Sequence, residues 1–207
     1  MTNKEKALFA IPALEKEYPQ AICSLDYTTP LELLIATRLS AQCTDKRVNI
    51  VTSKLFKKYK NVYDYANANV TDIENIIRSC GFYKIKSLDI INMSKSIIEN
   101  FDGQVPDTIE KLITLSGIGR KTANLIVGDI FGKSAVVVDT HCIRITSHLG
   151  FHNTSNADKI EKLLREILPA DKSNDFCHRL VLHGRAVCVA RNPKCEICCL
   201  KTICSSS

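Results

Sequence analysis

Apolar residues recur along this chain at three-and-four spacing, the period of one helical face, and capping signals repeatedly stand just ahead of them. Thr29-Pro30-Leu31-Glu32 supplies a cap, a first-turn proline and a capping-box glutamate before Leu33, Leu34 and Leu39. Thr71 with Glu74 repeats the box before Ile73, Ile76 and Ile77, with Gly81 as the stop. Asp107 with Glu110 opens a third helix over Leu112 and Leu115, and residues 159–168 carry Ile160, Leu163, Leu164 and Ile167 on one stripe that ends before Pro169. A further helix is predicted from Asn174 towards Val187. The strand-like run at residues 135–138, Ala-Val-Val-Val, reads equally as a buried connector between helices. The pattern therefore predicts an all-α fold with short loops. No repeat, low-complexity segment or linker interrupts it, so a domain boundary is expected only as a cleft within a compact helical body.

Composition agrees with a folded chain. Its 207 residues, 45% hydrophobic and 24% charged, lie far from the disordered and fibrous classes and allow one large domain or two small ones. The first six residues lack the apolar core of a signal peptide, and no stretch approaches the roughly 18 uninterrupted apolar residues of a membrane helix. The expectation is a soluble, intracellular, cytoplasmic protein without a membrane partner. The net charge of +6 is uneven: residues 1–119 hold 15 basic and 14 acidic side chains, residues 120–207 hold 13 and 8. A basic excess of this size suits a nucleic-acid partner without demanding one.

Cysteine changes the picture more. Of ten, five (Cys188, Cys195, Cys198, Cys199 and Cys204) fall in the last twenty residues. A chain of this length without secretory context does not need disulfide staples, so clustered thiols point to metal. Cys188, Cys195, Cys198 and Cys204 are separated by six, two and five residues, a loop short enough for four thiolates to meet at one centre. That spacing leaves zinc and an iron–sulfur cluster both open. Cys199 is the spare thiol. Arg191 and Lys194 lie between the first two candidate ligands, where a metal-pinned loop would direct them at a phosphate backbone; the plainer reading is a pair of solvated loop charges.

Residues 115–124, Leu-Ser-Gly-Ile-Gly-Arg-Lys-Thr-Ala-Asn, end one helical pattern and begin another. Gly117 and Gly119 allow a tight turn and leave backbone N–H groups unobstructed at a helix start, a ready anion site, although a plain helix–helix turn accounts for a bare Gly-x-Gly as well.

These residues carry a resemblance. Residues 115–124 are similar to the helix-hairpin-helix of the endonuclease III family, Val138-Asp139-Thr140-His141 to its acidic motif, and the four-cysteine spacing to its cluster loop, all in the family's order. Leu33-Leu-Ile-Ala, Leu39-Ser-Ala-Gln42, Phe131-Gly132 and Leu182-His183-Gly184-Arg185 extend the likeness over nearly the whole chain. The resemblance implies a two-lobed helix-hairpin-helix DNA glycosylase fold: a six-helix lobe at residues 22–133, with the hairpin at about 108–128, and a second lobe from residues 1–21 and 134–207. It places the active site between them. It also selects a [4Fe-4S] cluster on Cys188, Cys195, Cys198 and Cys204, in loop 188–204.

The implied function is base excision repair by a monomer: removal of oxidised pyrimidines from double-stranded DNA, then strand cleavage at the abasic site. The resemblance makes Lys121 the nucleophile and Asp139 its partner, and puts Gln42 and Phe82 where side chains fill the space of the extruded nucleotide; Phe82 departs from the leucine common there. Attack at C1′ needs a neutral amine, so the surroundings must disfavour the ammonium, through cleft burial, the positive end of its helix and adjacent Arg120. Asp139 is also a plain helix-cap candidate. His141 and His183 are given no chemistry. Two alternatives stand beside this reading: a mismatch- or adenine-specific glycosylase of the same fold, the latter disfavoured by the lysine at 121, and a non-catalytic DNA-binding module.

Overall fold

The computed structural model describes residues 1–206, and every regular element among them is helical. The chain forms α1 (Asn3–Glu17), α2 (Pro30–Ser40), α3 (Asp45–Lys58), α4 (Val62–Ala66), α5 (Val70–Ile77) and α6 (Tyr83–Phe101). It continues through α7 (Ile109–Leu112), α8 (Arg120–Asp129), α9 (Thr140–His148), α10 (Ala157–Ile167) and α11 (Ser173–Ala186). Short 3₁₀ turns occupy Arg78–Cys80, Cys195–Ile197 and Lys201–Ile203. Residues 135–138 are the buried connector, not a strand.

The capping register matches the sequence pattern at α2 and differs from it at α5 and α7. Thr29 caps α2 by accepting from the Glu32 N–H, but Glu32 turns its carboxylate to Thr28, accepting from the N–H at 2.6 Å and the hydroxyl at 2.7 Å. Asn69, not Thr71, caps α5: its side chain accepts from the Thr71 N–H, so the helix starts one residue before Thr71. Asparagine is as good a cap as threonine and wins by position. Thr108, one residue past Asp107, caps α7, which ends at Leu112 and leaves Leu115 in the turn beyond.

The chain divides into two compact units, Cys23–Phe131 and Met1–Ile22 with residues from Gly132 onward. The first contains α2 to α8. Leu33, Leu34, Leu39, Leu55, Ile73, Ile77, Ile90, Ile97, Leu112 and Ile126 are inaccessible in its core, each contributing about 1.5–3 kcal/mol. In the second, α1 packs on α10 and α11, with Ala7, Ala10 and Leu14 against an interior that holds Ile160, Leu164, Phe176 and Leu180. Among the described residues no helix is long and apolar enough to cross a membrane.

Candidate active site and cysteine centre

The α7–α8 hairpin is held from behind by an ion pair. Asp89 on α6 accepts from the Ser116 hydroxyl at 2.7 Å through Oδ1, and through Oδ2 from Arg38 Nε at 2.8 Å and from a terminal nitrogen of the same guanidinium at 2.6 Å. Both charged side chains are largely sheltered, each 15% exposed. Gly117 lies directly over them at φ +74°, and a Cβ there would collide with the Arg38 side chain and approach Asp89 Oδ2 to 2.8 Å. Glycine is required on both counts.

Gly119 is different. Its backbone is extended, it caps α8 without any side-chain hydrogen bond, and open space lies where its Cβ would be. The first amides of α8 therefore have no capping side chain, and an anion can approach them closely. Lys121 is the second residue of α8, exposed, with no hydrogen bond or ion pair to any described residue. The expected burial of this side chain is not seen; the helix start and the neighbouring Arg120 are. Arg38 and Asp89 were not signalled by any motif, and Ser116, although inside the hairpin motif, carried no expected role.

Asp139 lies in the other unit, half-buried at the end of the 135–138 connector. Its Oδ1 accepts from the Cys142 N–H at 2.8 Å, capping α9 as an ordinary aspartate would. Nearby, Arg144 meets His141 Nδ1 at 3.2 Å and donates to the carbonyls of Gly184 and Cys188. A side chain on Gly184 would run into His141, so this glycine is set by close packing of α9 on α11.

Gln42 and Phe82 are exposed, and both adopt left-handed backbone, at φ 56° and 46°. Phe82 is 61% exposed and so is no core aromatic. Beneath these two loops sits Lys86, a buried lysine that no motif marked.

Cys188, Cys195, Cys198 and Cys204 line one cavity of about 80 Å³, together with Lys194 and Pro193. Burial pushes the Cys188 and Cys198 thiols above their ordinary range, and Cys199 up to about 11. His183 is buried between Tyr18, whose hydroxyl is 3.1 Å from Nδ1, and Cys198, whose Sγ is 3.4 Å from Nε2. Burial holds this imidazole below its ordinary value. Arg191 and Lys194 are exposed, and the Lys194 N–H closes the loop on the Val187 carbonyl at 3.0 Å. Among the described residues no group of three or more His, Cys, Asp or Glu side chains is arranged to hold a metal ion.

The profile of HhH-GPD superfamily base excision DNA repair proteins matches residues 35–170. An endonuclease III from Synechocystis sp. is 43% identical over 207 residues, all of this chain and 94% of that protein. The chain belongs to the endonuclease III family. Two solved endonuclease III structures, a non-covalent DNA complex and a trapped DNA covalent intermediate, each match with a TM-score of 0.94 at 38% identity, over 100% of this chain and 97% of theirs. As a member of the endonuclease III family, the protein is a base-excision-repair enzyme, a DNA glycosylase.

Proposed function

We propose that this protein removes oxidised pyrimidines from duplex DNA and cleaves the strand 3′ to the resulting abasic site, with Lys121 as the nucleophile. The observation that carries the assignment is the placement of Lys121: an exposed amine without a partner among the described residues, one residue into a helix whose first amides have no capping side chain. A phosphate seated on those amides would hold the backbone beside the lysine, converting attack into an intramolecular step.

In the reaction, Lys121 Nζ forms a bond to C1′ as the N-glycosidic bond breaks and the base departs with a proton. Ring opening gives a Schiff base, which acidifies the C2′ hydrogen; loss of that proton expels the 3′ phosphate by β-elimination, and water then frees the lysine. Asp139 offsets the positive charge that develops on the sugar and passes protons at the amine; its capping bond to the Cys142 N–H fixes the carboxylate at the start of α9. Gln42 and Phe82 fill the space left by the extruded nucleotide. Their exposure, and a left-handed backbone that strains any non-glycine residue, support that role.

The four thiols suit a [4Fe-4S] cluster. Four thiols that line one cavity support a shared centre, and membership of the endonuclease III family favours the cluster over zinc. Cys188, Cys195, Cys198 and Cys204 would hold it. When bound, the cluster supplies covalent cross-links that pin the loop. Arg191 and Lys194 on that loop would then meet the DNA backbone, since the cluster's own negative charge attracts no phosphate. The protein acts as a monomer on DNA inside the cell, in the cytoplasm.

Borohydride tests the nucleophile. On a thymine-glycol duplex it should trap a covalent protein–DNA adduct, and Lys121→Ala should abolish the adduct; an undiminished yield from that variant would refute the assignment.

A further inference from the structure

Lys86 lies in the first turn of α6, only 1% exposed, and its ammonium donates to three main-chain carbonyls: Leu39 at 2.9 Å, Ala41 at 2.8 Å and Cys80 at 2.8 Å. Three N–H donors meet three acceptors, so the buried charge is fully satisfied. The acceptors belong to two separate loops. Leu39 and Ala41 flank the C-terminus of α2, where carbonyls lack helical partners, and Ala41 immediately precedes Gln42. Cys80 closes the 3₁₀ turn two residues before Phe82. Burial, with the Cys43 thiol as a neighbour, pushes the Cys80 thiol up to about 11.

An ammonium is a costly way to fill a helical core position, and burial here works against its charge. What it supplies, and an apolar side chain cannot, is a single point to which both loops are tied. Gln42 and Phe82 sit one and two residues from those ties in left-handed backbone, a conformation that persists only where the surroundings impose it.

We infer that Lys86 is a positioning residue for nucleotide extrusion: it fixes the Gln42 loop against the Phe82 loop, so that the two side chains enter the duplex at a set separation. The inference rests on the proposed wedge role of Gln42 and Phe82. It adds a residue that never touches DNA.

The test compares two substrates, because a duplex must be opened and a single strand need not be. Lys86→Met keeps length but removes the donors. With 2-aminopurine stacked beside thymine glycol in a duplex, the fluorescence rise on binding and the kcat for excision should both fall about tenfold. Borohydride trapping on a single-stranded abasic oligonucleotide should stay within about twofold of the parent, since it calls only on Lys121 chemistry. Equal losses on both substrates, or an unchanged fluorescence rise, would overturn the inference. In a Gln42→Ala/Phe82→Ala background, Lys86→Met should add no further duplex loss, and additive losses would also overturn it. That background alone tests the wedge: intact extrusion there defeats the wedge reading and with it this one, while impaired extrusion there, together with a Lys86→Met change that is innocuous in the parent protein, defeats only the role of Lys86. Should Lys86→Met fail to fold, Lys86→Arg, which keeps a cation in altered geometry, gives the same comparison, with duplex-selective loss supporting the inference and proportional loss refuting it.

Discussion

Gly117→Ala should damage the protein through stability, and its neighbour Gly119→Ala should do so through binding. At φ +74° an alanine pays about 1–2 kcal/mol for left-handed backbone. The new Cβ also lands on the Arg38 side chain and 2.8 Å from Asp89 Oδ2, so the sheltered pair, with bonds of 2.6 and 2.8 Å, must part or shift. A hydrogen bond between charged groups contributes about 1.5–3 kcal/mol, of which a shift forfeits a share. About 3 kcal/mol of destabilisation follows, which for a chain of this length lowers Tm by about 6–12 °C. Gly119 has extended backbone and open space, so its alanine variant loses only the capping preference, on the order of 0.5 kcal/mol or 1–2 °C. The proposed phosphate seat is at this open turn, so an added methyl group should lower affinity for an abasic-site duplex with Tm nearly unchanged. Thermal unfolding followed by circular dichroism, paired with a duplex-binding titration, separates the two. A Gly117→Ala protein melting within about 2 °C of the parent, the smallest shift expected for about 1 kcal/mol, or a Gly119→Ala protein as destabilised as its neighbour, would refute the reasoning.

Asp139→Asn can still accept from the Cys142 N–H and should keep its Tm, whereas Asp139→Ala should lose about 1 kcal/mol of cap. Both should lose about 100-fold or more in excision on a thymine-glycol duplex, and an active Asn variant would show that the charge does no chemistry. Burial holds His152, whose Nε2 faces the Thr146 hydroxyl at 2.8 Å, below its ordinary value of 6.5. The unfolded chain then binds the proton more readily, so stability is complete above pH 6.5 and declines as pH falls below it, by at most about 1.4 kcal/mol per pH unit for this one group. Urea midpoints between neutral and acid pH should show a shallower decline for His152→Gln; identical slopes would exclude His152 as a contributor. The native protein should contain iron and absorb visible light, which zinc as a d¹⁰ ion cannot cause, and Cys198→Ser should lose both; a colourless, zinc-loaded preparation would refute the cluster.

The local chemistry of this chain was legible because it is written in neighbouring residues. Thr29-Pro30 starts a helix wherever it stands, and four cysteines within seventeen residues can reach one centre; they do line one cavity. Register was less legible. Asn69 and Thr108 compete with Thr71 and Asp107 for the same ends, and propensities this close are decided by which start buries Ile73, Ile77 and Leu112. The exposure of Lys121 was not legible at all, since burial depends on what the rest of the fold brings near.

The charged residues that build the site were hidden for a more specific reason. Lys86 and Asp89 stand three residues apart on α6, in a sequence where any lysine or aspartate on a helix reads as solvated. A stripe of Lys86, Ile90, Met93, Ser94 and Ile97, all buried, does mark a lysine on the apolar face, and that was the available signal. Its partners could not be read, because main-chain carbonyls at residues 39, 41 and 80 have no sequence signature. Within one turn of helix, then, α6 ties the Gln42 and Phe82 loops through Lys86 and braces the Lys121 hairpin through Asp89 and Ser116. Two loops proposed to open the duplex and one proposed to react with it share a single rigid support, so a shift of α6 would misplace the opening and the chemistry together. Alanine at Lys121 removes only the second.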